Sequence, residues 1–443
     1  MGIKIDEIVC KENLVITIKS SNGHPACVRQ ETLEKLVQRG WATPLDLVTQ
    51  QTDNNMPADK PSMIEPQSIK ETAVLNNEFA FEMFSNLTKK KEENTFFSPY
   101  GISSAFSIVY EGARSTTQDE IQSVFHFIKD EQARRNSAYT LISELNKPEQ
   151  NYTLSVANAL WVQNDFQILK EFNEVAETYY LAKTENLDFI FNAEDSRQTI
   201  NGWVEEKTND KIKDLLPQGS LDELTRAVIT NAVYFKGNWT IPFDEKLTQD
   251  EDFKIPEQNT VKVPMMNVRE HFNYTSTDDL QILQMPYKGG DLSMVVLLPK
   301  NNELQYLEEK LSVSNLKEWK NQLTRKEVQV YLPKFTFNTK YMLNENLSKM
   351  GMSSAFDPEQ ADFSGINGQK DLYITGVFHQ AFVAVDEKGT EAAAATGIVI
   401  GTESAHPEPE IFRADHPFIF LIQDDNTGMI LFMGKVVDPT KAS

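Results

Sequence analysis

"ADHPFIFLIQDDNTGMILFMGKVVDP", residues 414–439, holds two strand-like runs, HPFIFLIQD (416–424) and GMILFMGKVV (428–437). Both are rich in β-branched and aromatic residues, which suit a pleated, packed surface. Further back, the same texture returns in QAFVAVDE (380–387), EVQVYLPKFTF (327–337), LSMVVLLPK (292–300) and RAVITNAVYFKGNW (226–239). The first half reads differently. TAVLNNEFAFEMFSNLTKK (72–90) carries Leu75, Phe79, Met83 and Leu87 four residues apart, with Phe84 beside them, as one face of a helix does. SPYGISSAFSIVYEGA (98–113) reads as a helix opened by a Ser-Pro N-terminal signal. Helices dominate the first half and strands the second. That is an α+β pattern with large sheets, not the βαβα alternation of a doubly wound fold.

The chain has 443 residues, 40% of them hydrophobic, with 26 Phe, enough for a sizeable core. Its formal net charge of −22 disfavours nucleic acid, heparin-like polyanions and anionic membranes, which reward Lys and Arg. No apolar run approaches the ~18 residues of a membrane span. The start, MGIKIDEIVCKENL, lacks the apolar core of a signal peptide, so the sequence as written reads as cytosolic, or a leader has been removed. Asp6 stands where a myristoylation signal wants Ser or Thr.

The only cysteines are Cys10 and Cys27. A pair confined to so small a segment is expected to form a local disulfide that staples it. LVITIKS (14–20) reads as a strand and ETLEKLVQRG (31–40) as a short helix. Then comes TPLDLVTQQTDNNMPADKPSMIEPQ (43–67), polar and proline-containing, a linker composition. The expected organisation is a module over 1–45, a tether over 46–68 and a main domain over 69–443. Residues 10–41 resemble a small cysteine-containing module of extracellular archaeal proteins. That resemblance implies an extracellular or cell-surface setting over a cytoplasmic one.

Enzyme signatures are missing. There is no G-x-S-x-G, H-E-x-x-H, G-x-x-x-x-G-K-[ST] or C-x-x-C. The histidines, His24, His126, His271, His379, His406 and His416, show no metal-ligand spacing. The one S-x-x-K, Ser314 to Lys317, lacks its companion motifs. No cofactor or metal is called for, and the chain reads as a non-enzyme.

The strand-like blocks are also specific. NTFFSPYGISSAFSIVYEGARSTTQDEI (94–121), INGWVEEKTNDKIKDLL (200–216), VITNAVYFKGNWTIPF (228–243), LQMPYKGGDLSMVVLLP (283–299), LPKFTF, LSKMGMSSAFD and residues 414–439 resemble the serpin family in order and spacing. The resemblance covers about 69 to 443. It implies three β-sheets called A, B and C, eight or nine helices, an exposed reactive centre loop near the C-terminus, and a monomer.

DEKGTEAAAATGIVIGTESAHPEPEIF (386–412) falls on that loop. If residues 390–400 became a strand, Thr390, Ala392, Ala394, Thr396, Ile398 and Ile400 would share one uncharged face. Glu391, Ala393, Ala395, Gly397, Val399 and Gly401 would share the other. Small residues at the start let such a strand slide between two neighbours without clash. The serpin hinge pattern, Glu-x-Gly-Thr-Glu and then small residues, matches Glu387, Gly389, Thr390, Glu391 and Ala392, Ala393, Ala394, Ala395. In the family this pattern marks inhibitors, which act as suicide substrates. A target serine protease forms an acyl-enzyme and the cleaved loop inserts into sheet A. A non-inhibitory carrier, chaperone or storage serpin is the alternative.

Counting along the hinge, with Glu387 as the seventeenth residue before the cut, places the reactive bond at Glu403–Ser404. Thr402–Glu403 is second. Counting back from His416 lands nearer His406–Pro407, because the loop is about three residues longer than usual. Glu403 implies a glutamyl-preferring target, and Thr402 an elastase-like or subtilisin-like one. The family's polar "shutter" beneath sheet A matches Ser98, Asn231 and His379, but Gly101 replaces a usual serine. Its "breach" at the top of the sheet matches Trp239, Lys334 and Glu387. For heparin-type activation the segment DEQARRNSAY offers only Arg134 and Arg135.

Overall fold

The structure is a computed structural model. It describes residues 14–19, 25–29, 32, 35, 36, 42 and 43, then 61, 63, 66–89, 93–146, 151–255, 260–300, 304–390 and 408–441. The chain divides into two compact units, Met1–Lys60 and Pro61–Ser443. In the first, β1 (Leu14–Lys19) pairs antiparallel with β2 (Pro25–Arg29) and with β3 (Ala42–Thr43). Cys27, opposite Ile16 on β2, is disulfide-bonded, and Cys10 lies outside the described residues. So does most of the helix expected over 31–40.

The second unit opens with α1 (Pro66–Leu87), β4 (Thr95–Phe97), α2 (Pro99–Gly112), α3 (Ser115–Phe125) and α4 (Glu131–Leu145). Next come β5 (Tyr152–Gln163), α5 (Lys170–Tyr180), β6 (Lys183–Leu187), α6 (Ala193–Lys207) and β7 (Ala227–Asn238). After them run β8 (Gln249–Lys254), β9 (Thr260–Ser276), β10 (Leu280–Pro286), β11 (Leu292–Pro299), α7 (Leu304–Lys310) and α8 (Val313–Asn321). Then follow β12 (Thr324–Pro333), β13 (Phe335–Met342), α9 (Asn344–Lys349), α10 (Ser364–Asn367) and β14 (Gly376–Val385). The last are β15 (Gly389–Thr390), β16 (Glu410–Arg413), β17 (Phe418–Asp424) and β18 (Ile430–Val436).

Helix α1 begins at Pro66, inside the expected tether, and buries Phe79, Met83 and Phe84 completely or nearly so. Full burial of one such side chain is worth about 1.5–3 kcal/mol. Helix α2 starts as its sequence requires. Pro99 occupies the first turn, and Ser98 caps it by accepting the Gly101 N–H at 3.0 Å.

Two sheets carry the second unit. One has nine strands, ordered β16-β12-β9-β10-β11-β17-β18-β4, with β8 paired to β9. The other has six, ordered β13-β14-β15-β7-β5-β6. The family resemblance implies three sheets here. The difference lies in β9, which pairs with β8 through its first residues and with β10 through its last, welding two sheets into one. Ten α-helices are present among the described residues against the eight or nine implied; α9 and α10 are the shortest, at six and four residues. EVQVYLPKFTF, one run in sequence, is two strands in two sheets, because the chain changes sheet at Lys334.

Candidate functional site

The six-stranded sheet has a seam. Its central strands β14 and β7 run parallel and pair directly over seven positions, from Gly376↔Val228 to Phe382↔Tyr234. Above Phe382 they part, and β15 lies between them. The chain leaves β14 at Val385 and turns sharply. Asp386 donates its N–H to Gly389 O at 2.9 Å, and its carboxylate accepts the N–H groups of Lys388 (2.9 Å) and Gly389 (3.2 Å). Thr390 then opposes Val385 on one side and Gly237 on the other, antiparallel to both. Gly389 is required by close approach. A Cβ there would lie 2.1 Å from Gly237 O and 2.7 Å from Asn238 Cα, both backbone atoms that cannot yield.

Six side chains fasten this mouth. Trp239 is buried, stacks on Tyr287 at 4.6 Å between ring centroids, and donates its indole N–H to Asp386 O at 3.0 Å. Its backbone N–H donates to Lys388 O at 2.9 Å. The Tyr287 hydroxyl meets Thr390 Oγ1 at 2.7 Å, and both residues are fully buried. Glu387 accepts from Lys334 Nζ and from Thr248 Oγ1, each at 2.8 Å. Burial raises the Glu387 pKa, but these hydrogen bonds outweigh it and hold the carboxyl below its ordinary value. Lys334 reaches Glu387 because it sits where the chain crosses between sheets.

Beneath the seam runs a directional chain of hydrogen bonds. The Ser98 N–H donates to His379 Nε2 at 3.1 Å, which leaves the imidazole proton on Nδ1 to be donated to Asn231 Oδ1 at 2.6 Å. Asn231 Nδ2 donates to Asn158 Oδ1 at 2.5 Å, and Asn158 Nδ2 to Ser104 Oγ at 2.8 Å. Ser98 Oγ also donates to Leu431 O at 2.7 Å, tying the chain to β18. His379 and Asn231 are register partners across the seam, so their bond joins the two strands. Burial pulls the His379 pKa down to about 3, which keeps the ring neutral. Gly101 leaves no gap in this chain. A Cβ there would lie 2.5 Å from Val233 Cγ2 and 2.8 Å from Asn231 Oδ1.

The structure thus brings together Ser98, Asn231 and His379 as one group, and Trp239, Lys334, Glu387, Gly389 and Thr390 as another. Glu391, Ala392 to Ala395, Thr402, Glu403, Ser404, His406 and Pro407 lie outside the described residues. Arg134 and Arg135 are both committed to Glu111, at 2.8 and 2.7 Å, so this pair offers polyanions little. Sequence reading missed Ser104, Asn158, Thr248 and Tyr287. Asn158 alone left a signal, as an amide inside the apolar strand YTLSVANALWVQ. Among the described residues, no helix is long and apolar enough to cross a membrane.

The family profile described as Serpin (serine protease inhibitor) matches residues 74–439. A serpin-like protein of Methanosarcina acetivorans is 42% identical over 370 residues, 83% of this chain and 86% of that one. Leukocyte elastase inhibitor A of Rattus norvegicus is 39% identical over 376 residues, 82% of this chain and 98% of that one. The solved structure of human thyroxine-binding globulin in complex with thyroxine is 32% identical and covers 84% of this chain and 100% of its own, with a TM-score of 0.77. The chain belongs to the serpin family, and it has the serpin fold. Its relatives include one named as an elastase inhibitor and one named as a thyroxine-binding globulin, so membership alone does not choose between those activities.

Proposed function

We propose that the protein is an inhibitor of serine proteases that traps its target as an acyl-enzyme by inserting its cleaved loop along the seam. The observation that carries this reading is β15, where Gly389 and Thr390 already stand as the first two residues of a strand between β14 and β7. Continued in the same register, each further residue moves one position down both neighbours. Residues 393–399, AAATGIV, would then separate the seven pairs that close the seam. Thr396 would arrive between Asn231 and His379, on the face that Thr390 already buries.

A protease serine would attack the reactive bond, proposed as Glu403–Ser404 with Thr402–Glu403 second. Cleavage frees the hinge side, and the acylated protease travels with the inserting strand. An inserted strand bonds on both edges while the seam loses one set of pairs. About ten net hydrogen bonds at about 1 kcal/mol give a driving force on the order of 10 kcal/mol. That is comparable to the stability of a whole domain, so the uncleaved fold is held kinetically. The disulfide at Cys27 supports action in an oxidising, extracellular or cell-surface compartment.

The test is incubation with glutamyl-specific, subtilisin-like, elastase-like and trypsin-like serine proteases, followed by denaturing gel and intact mass. A denaturation-resistant complex with a released C-terminal peptide is expected, and the peptide's mass identifies the bond. Clean cleavage by every protease without a complex would favour the carrier alternative.

A further inference from the structure

Helix α6 lies over one face of the seam. Its Ile200 and Val204 share a buried cluster with Val228 and Ala232 of β7, Phe378 of β14, and Ala157, Ala159 and Trp161 of β5. On each strand these are alternate positions, so they face the same side of the sheet. Asn231 and His379, one position along from Ala232 and Phe378, face the other side, where the hydrogen-bond chain runs. On the insertion reading above, the face of the new strand that carries Ala393, Ala395, Gly397 and Val399 would pass beneath α6. The helix must lift to admit it.

One cluster of side chains holds α6 down. Trp203 on α6 meets Trp161 on β5 edge to face, with 5.4 Å between ring centroids and 81° between planes. Trp161 is fully buried, and its indole N–H donates to Thr230 Oγ1 at 2.9 Å. Thr230 is the register partner of Phe378 across the seam. Lys183, on the edge strand β6, closes the group. Its Nζ lies 5.0 Å from the Trp161 ring centre and 5.8 Å from that of Trp203, within reach of a cation–π contact with each. Glu185, opposite Trp161 in the register of β5 and β6, pairs with this ammonium at 2.5 Å. A surface lysine ordinarily extends its head into water. This one is folded back over two indoles, and its side chain is only 35% exposed.

We propose that Lys183 is a positioning residue for α6: it clips the helix to the sheet through Trp203, and the clip opens before a strand can enter the seam. The proposal rests on the insertion reading. Lys183 and Trp161 sit on paired strands and stay together when α6 lifts. The contacts of Trp203 with both are the ones lost. Present in the closed form and absent in the opening step, they slow insertion. Deacylation competes with insertion for the acyl-enzyme, so the clip also sets how much inhibitor is consumed as plain substrate.

The test uses the full chain cut within residues 391–407, with the onset of resistance to denaturant followed by quench flow. Lys183→Met keeps the apolar stem and removes the charge. It should speed insertion about two- to fivefold, the worth of one half-exposed cation–π contact, and lower the number of inhibitors consumed for each protease trapped. Lys183→Arg, whose guanidinium also stacks on aromatic faces, should keep the parent rate. In a Trp203→Leu background, Lys183→Met should change the rate no further. A Lys183→Met rate equal to the parent's, with or without a lower melting temperature, would overturn the clip. So would the same acceleration with and without Trp203. A parent chain that never gains resistance after the cut would overturn the insertion reading, and the clip's role with it.

Discussion

Gly389→Ala tests the poised hinge. The added methyl would lie 2.1 Å from Gly237 O, 2.7 Å from Asn238 Cα and 3.0 Å from Gly237 C. All three belong to the backbone of β7 or its end, so no side-chain rotation relieves them. The first two residues of the hinge must leave the sheet. With them go the Trp239-to-Lys388 bond, the Asp386-to-Gly389 bond, the Tyr287–Thr390 contact and the pairing of Thr390 with Gly237. Roughly four hydrogen bonds at about 1 kcal/mol each come to about 4 kcal/mol. For a domain of this size that lowers the melting temperature by about 5 °C. Scanning calorimetry measures the shift. Titration against the target protease should show more inhibitor consumed as plain substrate for each protease trapped, because insertion starts later. A melting temperature within about 1 °C of the parent, with unchanged stoichiometry, would refute the argument that β15 is seated by this glycine.

Glu387→Lys places an ammonium opposite Lys334 and removes the acceptor from Thr248, so the mouth should loosen and the protein form polymers on mild heating, read by size-exclusion chromatography. A variant that stays monomeric would contradict the role given to that ion pair. His379 makes stability depend on pH. The unfolded imidazole takes up a proton near 6.5, while the folded one resists until about 3. Its contribution is therefore complete above pH 6.5 and is lost at up to about 1.4 kcal/mol per unit as pH falls toward 3. Denaturation midpoints between pH 7.5 and 5 should show this slope, and His379→Gln should flatten it. Gly101→Ala drives a methyl into Val233 and Asn231 and should cost about 1–3 kcal/mol by chemical denaturation; an unchanged midpoint would mean that the chain has slack.

Strands β11 and β17 were legible because each is an apolar run between turn residues, with every position buried. Strand β5 was harder to see. It lies among helices, and Ser155 and Asn158 interrupt its apolar pattern. The seventeen residues of β9 mix exposed, mostly polar residues with buried apolar ones, and no sequence feature announces that one strand serves two sheets. At the site, Glu387, Gly389, Thr390 and His379 stood out through the family pattern. Tyr287 did not, because its partner Thr390 is 103 residues away and only the folded register joins them. Gly101 looked like a missing hydroxyl in sequence. In space it is the room that Asn231 needs.

The most direct test of the account is the thermal stability of the protein after one cut within residues 391–407, compared with the uncleaved chain. If the freed segment becomes a strand between β14 and β7, the cleaved form should melt about 10 °C or more above the intact one, in line with a driving force on the order of 10 kcal/mol. A cleaved protein that melts at or below the intact temperature would show that the seam does not open, and the proposed mechanism of inhibition would be wrong.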